Sequence, residues 1–146
     1  MQRSIGLAVA ALFMALAVAS PALAAEEWWY GGEIADGGHF YADVESIRSV
    51  TGMEILGVMV FPPGKEEDIY WFEGVVFCDD KSGFYTQLFY VENGEERSDE
   101  FLKMHPQEAT AAAGFACSAR ATWPGLGFKP VADPVEDALG RYKAAQ

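Results

Sequence analysis

Hydrophobic positions are distributed along this chain in three different ways. Residues 5–19 form an unbroken apolar run. From residue 28 to residue 101, aromatic and β-branched residues come in short stretches separated by glycine, proline and asparagine. From residue 106 onward, alanine dominates. The middle pattern predicts strands, because such side chains suit a pleated, half-buried surface. Trp28-Trp29-Tyr30 opens a first strand, and Gly37-Gly38 turns the chain into a short extended piece over 39–43. Asp43 then reads as the cap of a single helical or 3₁₀ turn over 43–47. Residues 53–61 make a buried strand that ends at Pro62-Pro63-Gly64, and 65–68 form a charged loop. A long strand over 69–78 has apolar residues on both faces, as a strand covered on both sides would. After a polar turn at 79–83, a strand over 84–91 leads to Asn93-Gly94, whose residues tolerate the positive φ of a tight hairpin turn. Residues 95–101 return as an acidic edge strand.

The helical part begins at Pro106, with Glu108 near the positive end of the helix dipole, and runs to Phe115; Gly114 weakens its last turn. Residues 123–130, rich in glycine and proline, read as a loop. Asp133-Pro134-Val135-Glu136 then places aspartate, proline and glutamate where a helix start wants them, opening a last helix to Lys143.

The first apolar run has its own meaning. Arg3 gives a charged head, the run is cut by Ser20-Pro21, and Ala22-Leu23-Ala24 is a small-x-small site. That order is a secretory signal cleaved between Ala24 and Ala25. The run is shorter than the ~20 residues needed to span a bilayer. No cysteine stands directly after the cut, so no lipid anchor is expected. Cleavage of 24 residues from 146 leaves 122, enough for one domain with a core of its own. The formal charge of the whole chain is −12; without Arg3 it is nine basic against 22 acidic residues, or −13. That sign disfavours nucleic acid and anionic lipid surfaces and suits a soluble exported protein, periplasmic or secreted.

Two cysteines, Cys78 and Cys117, are an even count in an exported chain and read as one disulfide. A metal pair would need two further ligands, and His39 and His105 show no ligand spacing to each other or to the cysteines. For the bond to form, the Cα atoms must come within roughly 4.4–6.8 Å. The alanine-rich helix must then fold back across the sheet, with its end beside the turn at Asp79-Asp80.

The search for chemistry yields no catalytic, cofactor or metal constellation. His39 and His105 are isolated and read as structural or solvated. No serine sits in a nucleophile-elbow pattern, and paired cysteines leave no free thiol. Acidic clusters at 66–68 and 92–100 read as solvated turns, and 92–96 lacks the ligand order of a calcium loop. Trp28, Trp29 and Tyr30 alternate across a strand, which leaves two readings open: at least one meets solvent as a binding anchor, or they pack against the C-terminal segment.

Several pieces resemble the surface-adhesin protein E family of small exported bacterial proteins. They are Trp29-Tyr30, the run Tyr41-Ala42-Asp43-Val44-Glu45-Ser46-Ile47, the strand ending Phe77-Cys78-Asp79, the hairpin over 90–94, and a helix ending at Cys117. The resemblance implies an α+β fold, an antiparallel β-meander sheet packed against a helix, with one disulfide. It implies a domain over 25–120, followed by a loop and short helix over 121–146 outside the matching region. It also implies a non-enzymatic binding module of the cell envelope with a protein partner. The alternatives are a periplasmic structural or stress-related factor and, in another class, an enzyme built on a carboxylate or histidine.

Overall fold

The computed structural model describes residues 26–62, 70–92 and 95–146. The expected export signal with its cut at Ala24–Ala25, the expected charged loop at 65–68 and the expected Asn93-Gly94 turn lie outside the described residues. The described residues form an antiparallel sheet of seven strands with two α-helices. Strands β1 (Trp28–Glu33), β2 (His39–Val50), β3 (Met53–Phe61), β4 (Tyr70–Phe77), β5 (Ser82–Glu92) and β6 (Glu95–Lys103) follow one another as a meander. Helix α1 (Pro106–Cys117) then crosses the sheet and touches β1 through β5. A 3₁₀ segment, Arg120–Leu126, delivers β7 (Lys129–Val131) to the free edge of β1, and α2 (Pro134–Ala144) closes the chain. The strand order is β6-β5-β4-β3-β2-β1-β7.

α1 seals the inner face. His105 caps it, its ring Nδ1 accepting from the Gln107 amide at 3.3 Å, and Pro106 fills the first turn, where a missing N–H costs nothing. Ala109, Ala111, Ala112 and Ala113 are buried, so the helix backbone approaches the strands closely. Phe115 and Met104 fill the gaps at its two ends, among Trp29, Phe40, Leu56, Val58, Phe72 and Val76. Gly114 has a packing reason: a Cβ there would lie 2.7 Å from the Phe128 ring. The weakened last turn thus seats Phe128, which stacks on Phe115 at 4.0 Å.

Cys117 is the last residue of α1, and it is bonded to Cys78 just beyond β4, with 5.6 Å between the Cα atoms. The helix end sits beside the Asp79-Asp80 turn, as the cysteine pair required.

Two sequence expectations are corrected. Residues 43–47 are not a helical turn; β2 continues through them with a break in register between Asp43 and Arg48. Asp43 does act as a local cap, its Oδ1 accepting from the Glu45 amide at 3.2 Å, but Ser46 ties the excursion back to the sheet. Nor is 123–130 a plain loop. Trp123, buried in the 3₁₀ segment, anchors it against Trp29 and Phe115 at 5.1 and 5.3 Å, and the chain then pairs as β7. Pro130 is tolerated there because an edge strand has one side free of ladder bonds.

Candidate functional site

Trp28, Trp29 and Tyr30 do not form an exposed anchor. They are 5%, 7% and 9% exposed. The alternation is as expected, but both faces of β1 are covered. Trp29 faces inward beneath Trp123, with the Arg120 guanidinium 5.5 Å above its ring. Trp28 and Tyr30 face outward beneath α2, in a cluster with Tyr41, Phe61 and Ala138. The preceding glutamates satisfy the indoles: Trp28 Nε1 donates to Glu26 Oε2 at 3.2 Å and Trp29 Nε1 to Glu27 Oε1 at 3.0 Å. Arg120 also pairs with Glu27. Of the two readings, packing against the C-terminal segment is the one found: residues more than ninety positions downstream supply the cover.

The two histidines are held in structural positions. His105 caps α1. His39 is the buried polar residue of a network under α2. The Tyr30 hydroxyl lies 3.0 Å from His39 Nδ1, and the His39 ring leans on Tyr142 at 4.9 Å. Tyr142 donates its hydroxyl to the Phe61 carbonyl at 2.5 Å. Beside them, Tyr41 donates to Asp137 Oδ2 at 2.6 Å, and the same oxygen accepts from Arg141 Nε at 2.7 Å. Arg141 lies 3.4 Å over the Tyr30 ring. Burial, reinforced by the Arg141 charge, holds the His39 imidazole below its ordinary pKa, and burial raises both the Tyr30 and Tyr41 phenols. Among the described residues, no group of three or more His, Cys, Asp and Glu is arranged to hold a metal.

A groove of about 680 Å³ runs beside α1, and the Cys78–Cys117 disulfide forms part of its wall with Glu33, Gln107, Thr110 and Leu126. Gln107 and Thr110 are exposed, and the Thr110 hydroxyl is turned back to the Pro106 carbonyl at 2.7 Å. The Thr110 hydroxyl is thus spent within the helix rather than offered to the groove.

A smaller depression of about 260 Å³ lies on the outer face, where α2 no longer covers the sheet. Its origin can be read from strand register. Tyr41, Met59 and Trp71 form one row across β2, β3 and β4, and Asp43, Gly57 and Glu73 form the next row. Along the first row exposure rises from 0% at Tyr41, beneath Asp137 of α2, through half-buried Met59 to 47% at Trp71. In the second row, glycine leaves no side chain between the two carboxylates. A Cβ on Gly57 would meet the Ser46 hydroxyl at 3.2 Å and Asp43 Cβ at 3.6 Å.

The β2 excursion builds the wall. The Ser46 hydroxyl donates to the Asp43 carbonyl and accepts from the Gly57 amide, both at 2.6 Å. Asp43 Oδ1 also accepts from the Glu27 amide at 3.3 Å. On the opposite wall Arg48 bonds Glu73 Oε2 at 3.1 Å, while Glu73 Oε1 accepts from the Thr86 hydroxyl at 3.0 Å. Burial raises the Asp43 carboxyl above its ordinary value, although the backbone N–H groups of Glu27 and Glu45 oppose this. An indole face, a partly desolvated carboxylate and an ion pair thus converge on a glycine floor. The sequence reading missed Trp71, which it placed on a fully covered strand. The signal was the phase of 69–78, which puts Trp71 and Glu73 on one face.

Comparisons with models of protein families, with curated proteins and with solved structures find no match to this chain.

Proposed function

We propose that this chain is a non-enzymatic binding module exported to the cell envelope, and that it engages a protein partner through the Trp71 depression. The observation that carries the reading is Trp71 itself. A tryptophan 47% exposed leaves a sizeable apolar area in water, whereas Trp28, Trp29, Tyr30, Phe40, Tyr41 and Phe72 of the same sheet are buried. Such side chains supply contact area at low entropic cost, and they are enriched where interfaces gain most of their energy. The position is supported from below by a pinned strand excursion, so its geometry is set before a partner arrives. The disulfide fits an oxidising compartment. Among the described residues, no helix is long and apolar enough to cross a membrane. The surface-adhesin resemblance points to the same class of role.

The test is capture with residues 25–146 as bait, from envelope extract and from host matrix, beside a Trp71→Ala bait of verified fold. The reading expects at least one retained protein that is lost with Trp71→Ala. It fails if both baits retain the same set. It also fails if the protein turns over an envelope substrate and that turnover vanishes with His39→Ala or His105→Ala.

A further inference from the structure

We infer that the Trp71 depression receives one cationic side chain, lysine or arginine, projecting from a basic segment of the partner. This deepens the binding-module reading and rests on it. The first argument is size. About 260 Å³ is below the ordinary range for a drug-sized ligand and is closer to the scale of one projecting group. The second is the balance of charge around the indole. Arg48 and Glu73 neutralise each other at 3.1 Å, and the second Glu73 oxygen is taken by Thr86. Asp43 has no such counter-charge: its Oδ1 accepts two backbone amides, and none of the ion pairs among the described residues includes it. Glu26 stands near enough to deepen the negative potential at Asp43.

A carboxylate partly removed from water beside an open indole face is the arrangement that favours a cation. The ring quadrupole attracts the charge, and the carboxylate supplies the hydrogen-bond acceptor. The long aliphatic stem of lysine or arginine would lie along the Trp71 indole, since Ser46 and Asp43 already close over Gly57. The chain as a whole carries −12, so a basic segment is also drawn in from a distance, at a rate that falls with salt. A neutral sugar would stack on Trp71 equally well, but it would leave the Asp43 charge without compensation.

The probe is a short capped Gly-Arg-Gly peptide, titrated into ¹⁵N-labelled protein (residues 25–146) and followed by two-dimensional NMR. The Trp71 indole N–H is identified by its loss in Trp71→Ala. The expected result is a saturable shift of that signal and of the Gly57 and Glu73 amides. The same peptide with citrulline in place of arginine keeps the shape and removes the charge; it should bind about tenfold more weakly or worse. Asp43→Asn retains an oxygen for the backbone amides and should weaken the arginine peptide several-fold. The inference is overturned if citrulline binds as well as arginine, or if shifts spread over the acidic surface and persist in Trp71→Ala. A neutral chitotriose that displaces the arginine peptide at lower concentration also overturns it, as does the absence of any shift. If capture finds a Trp71-dependent partner while the arginine peptide does not bind, the binding-module reading stands and the cationic occupant falls.

Discussion

Under α1 the sheet meets alanine, Phe115 and Met104; under α2 it meets Tyr30, His39, Tyr41, Asp137, Arg141 and Tyr142. α1 covers one face of β1 through β5 and α2 the other face at β1 to β3, by different means. The inner interface is mainly apolar: the Tyr85 hydroxyl donates to Glu108 at the start of α1, the buried Trp123 Nε1 finds no acceptor among the described residues, and a covalent bond closes the far end. The outer interface is a chain of phenols, an imidazole and a guanidinium, each satisfied by its neighbour. Apolar burial is non-directional and tolerates small adjustments, whereas a buried polar network works only when every partner is in place. α1, which touches five strands, is expected to contribute more stability than α2, and α2 fixes where the outer cover begins and ends. Because α2 stops at the Tyr41 row, Trp71 is left in water.

The largest test of this contrast is Phe115→Ala, which removes the side chain that fills the space among Trp29, Phe40, Trp123 and Phe128. It should cost about 3–5 kcal/mol in urea unfolding. Cys78→Ala comes next. It frees a closed loop between positions separated by 39 residues, and it should cost about 2–4 kcal/mol, lowering the melting temperature by several degrees or more. Under α2, Tyr41→Phe should cost about 1–2 kcal/mol, because Asp137 keeps Arg141 as a partner after losing the phenol. If Tyr41→Phe proves costlier than Phe115→Ala, the assignment of stability to α1 is wrong.

Acidity separates the two faces further. His39 faces Tyr30 and Tyr142 directly, with Arg141, Glu33 and Asp137 acting on it by charge. Its pKa in the folded protein lies below its ordinary value near 6.5. The unfolded chain therefore takes up the proton first. Stability is full above the ordinary value and is lost as pH falls from there toward the folded pKa. Urea unfolding between pH 7.5 and about pH 5 should show that loss, and His39→Gln should flatten it. An identical pH profile in His39→Gln would remove the histidine from the account. The smallest effect is expected at Trp71→Ala: stability within about 0.5 kcal/mol of the parent, as befits an exposed side chain. A larger loss would mean that Trp71 supports the fold rather than a partner.

Strand phase, helix caps and the cysteine pair are local facts, so they could be read from sequence. The boundaries of β3, the Pro106 and Asp133 helix starts and the pairing of Cys78 with Cys117 all follow from neighbours a few residues apart or from the even count of cysteines. The Asp43–Arg48 excursion was misread because a capping aspartate looks the same before a helical turn and before a strand irregularity. Only the bond from the Gly57 amide to Ser46, across to β3, decides between them. β7 was hidden for a similar reason: three residues containing a proline carry no strand signal until the free edge of β1 is there to receive them.

The candidate site was hidden more deeply. Sequence alone established that Trp28, Trp29 and Tyr30 alternate between faces and that Trp71 and Glu73 share one. It could not say which aromatics lie under a helix, since that depends on where α2 and the Trp123 segment come to rest. Alternation is a property of the backbone, with a period of two residues. Exposure is a property of what distant parts of the chain place on top, and here that placement covers Trp28, Trp29 and Tyr30 while leaving Trp71 open.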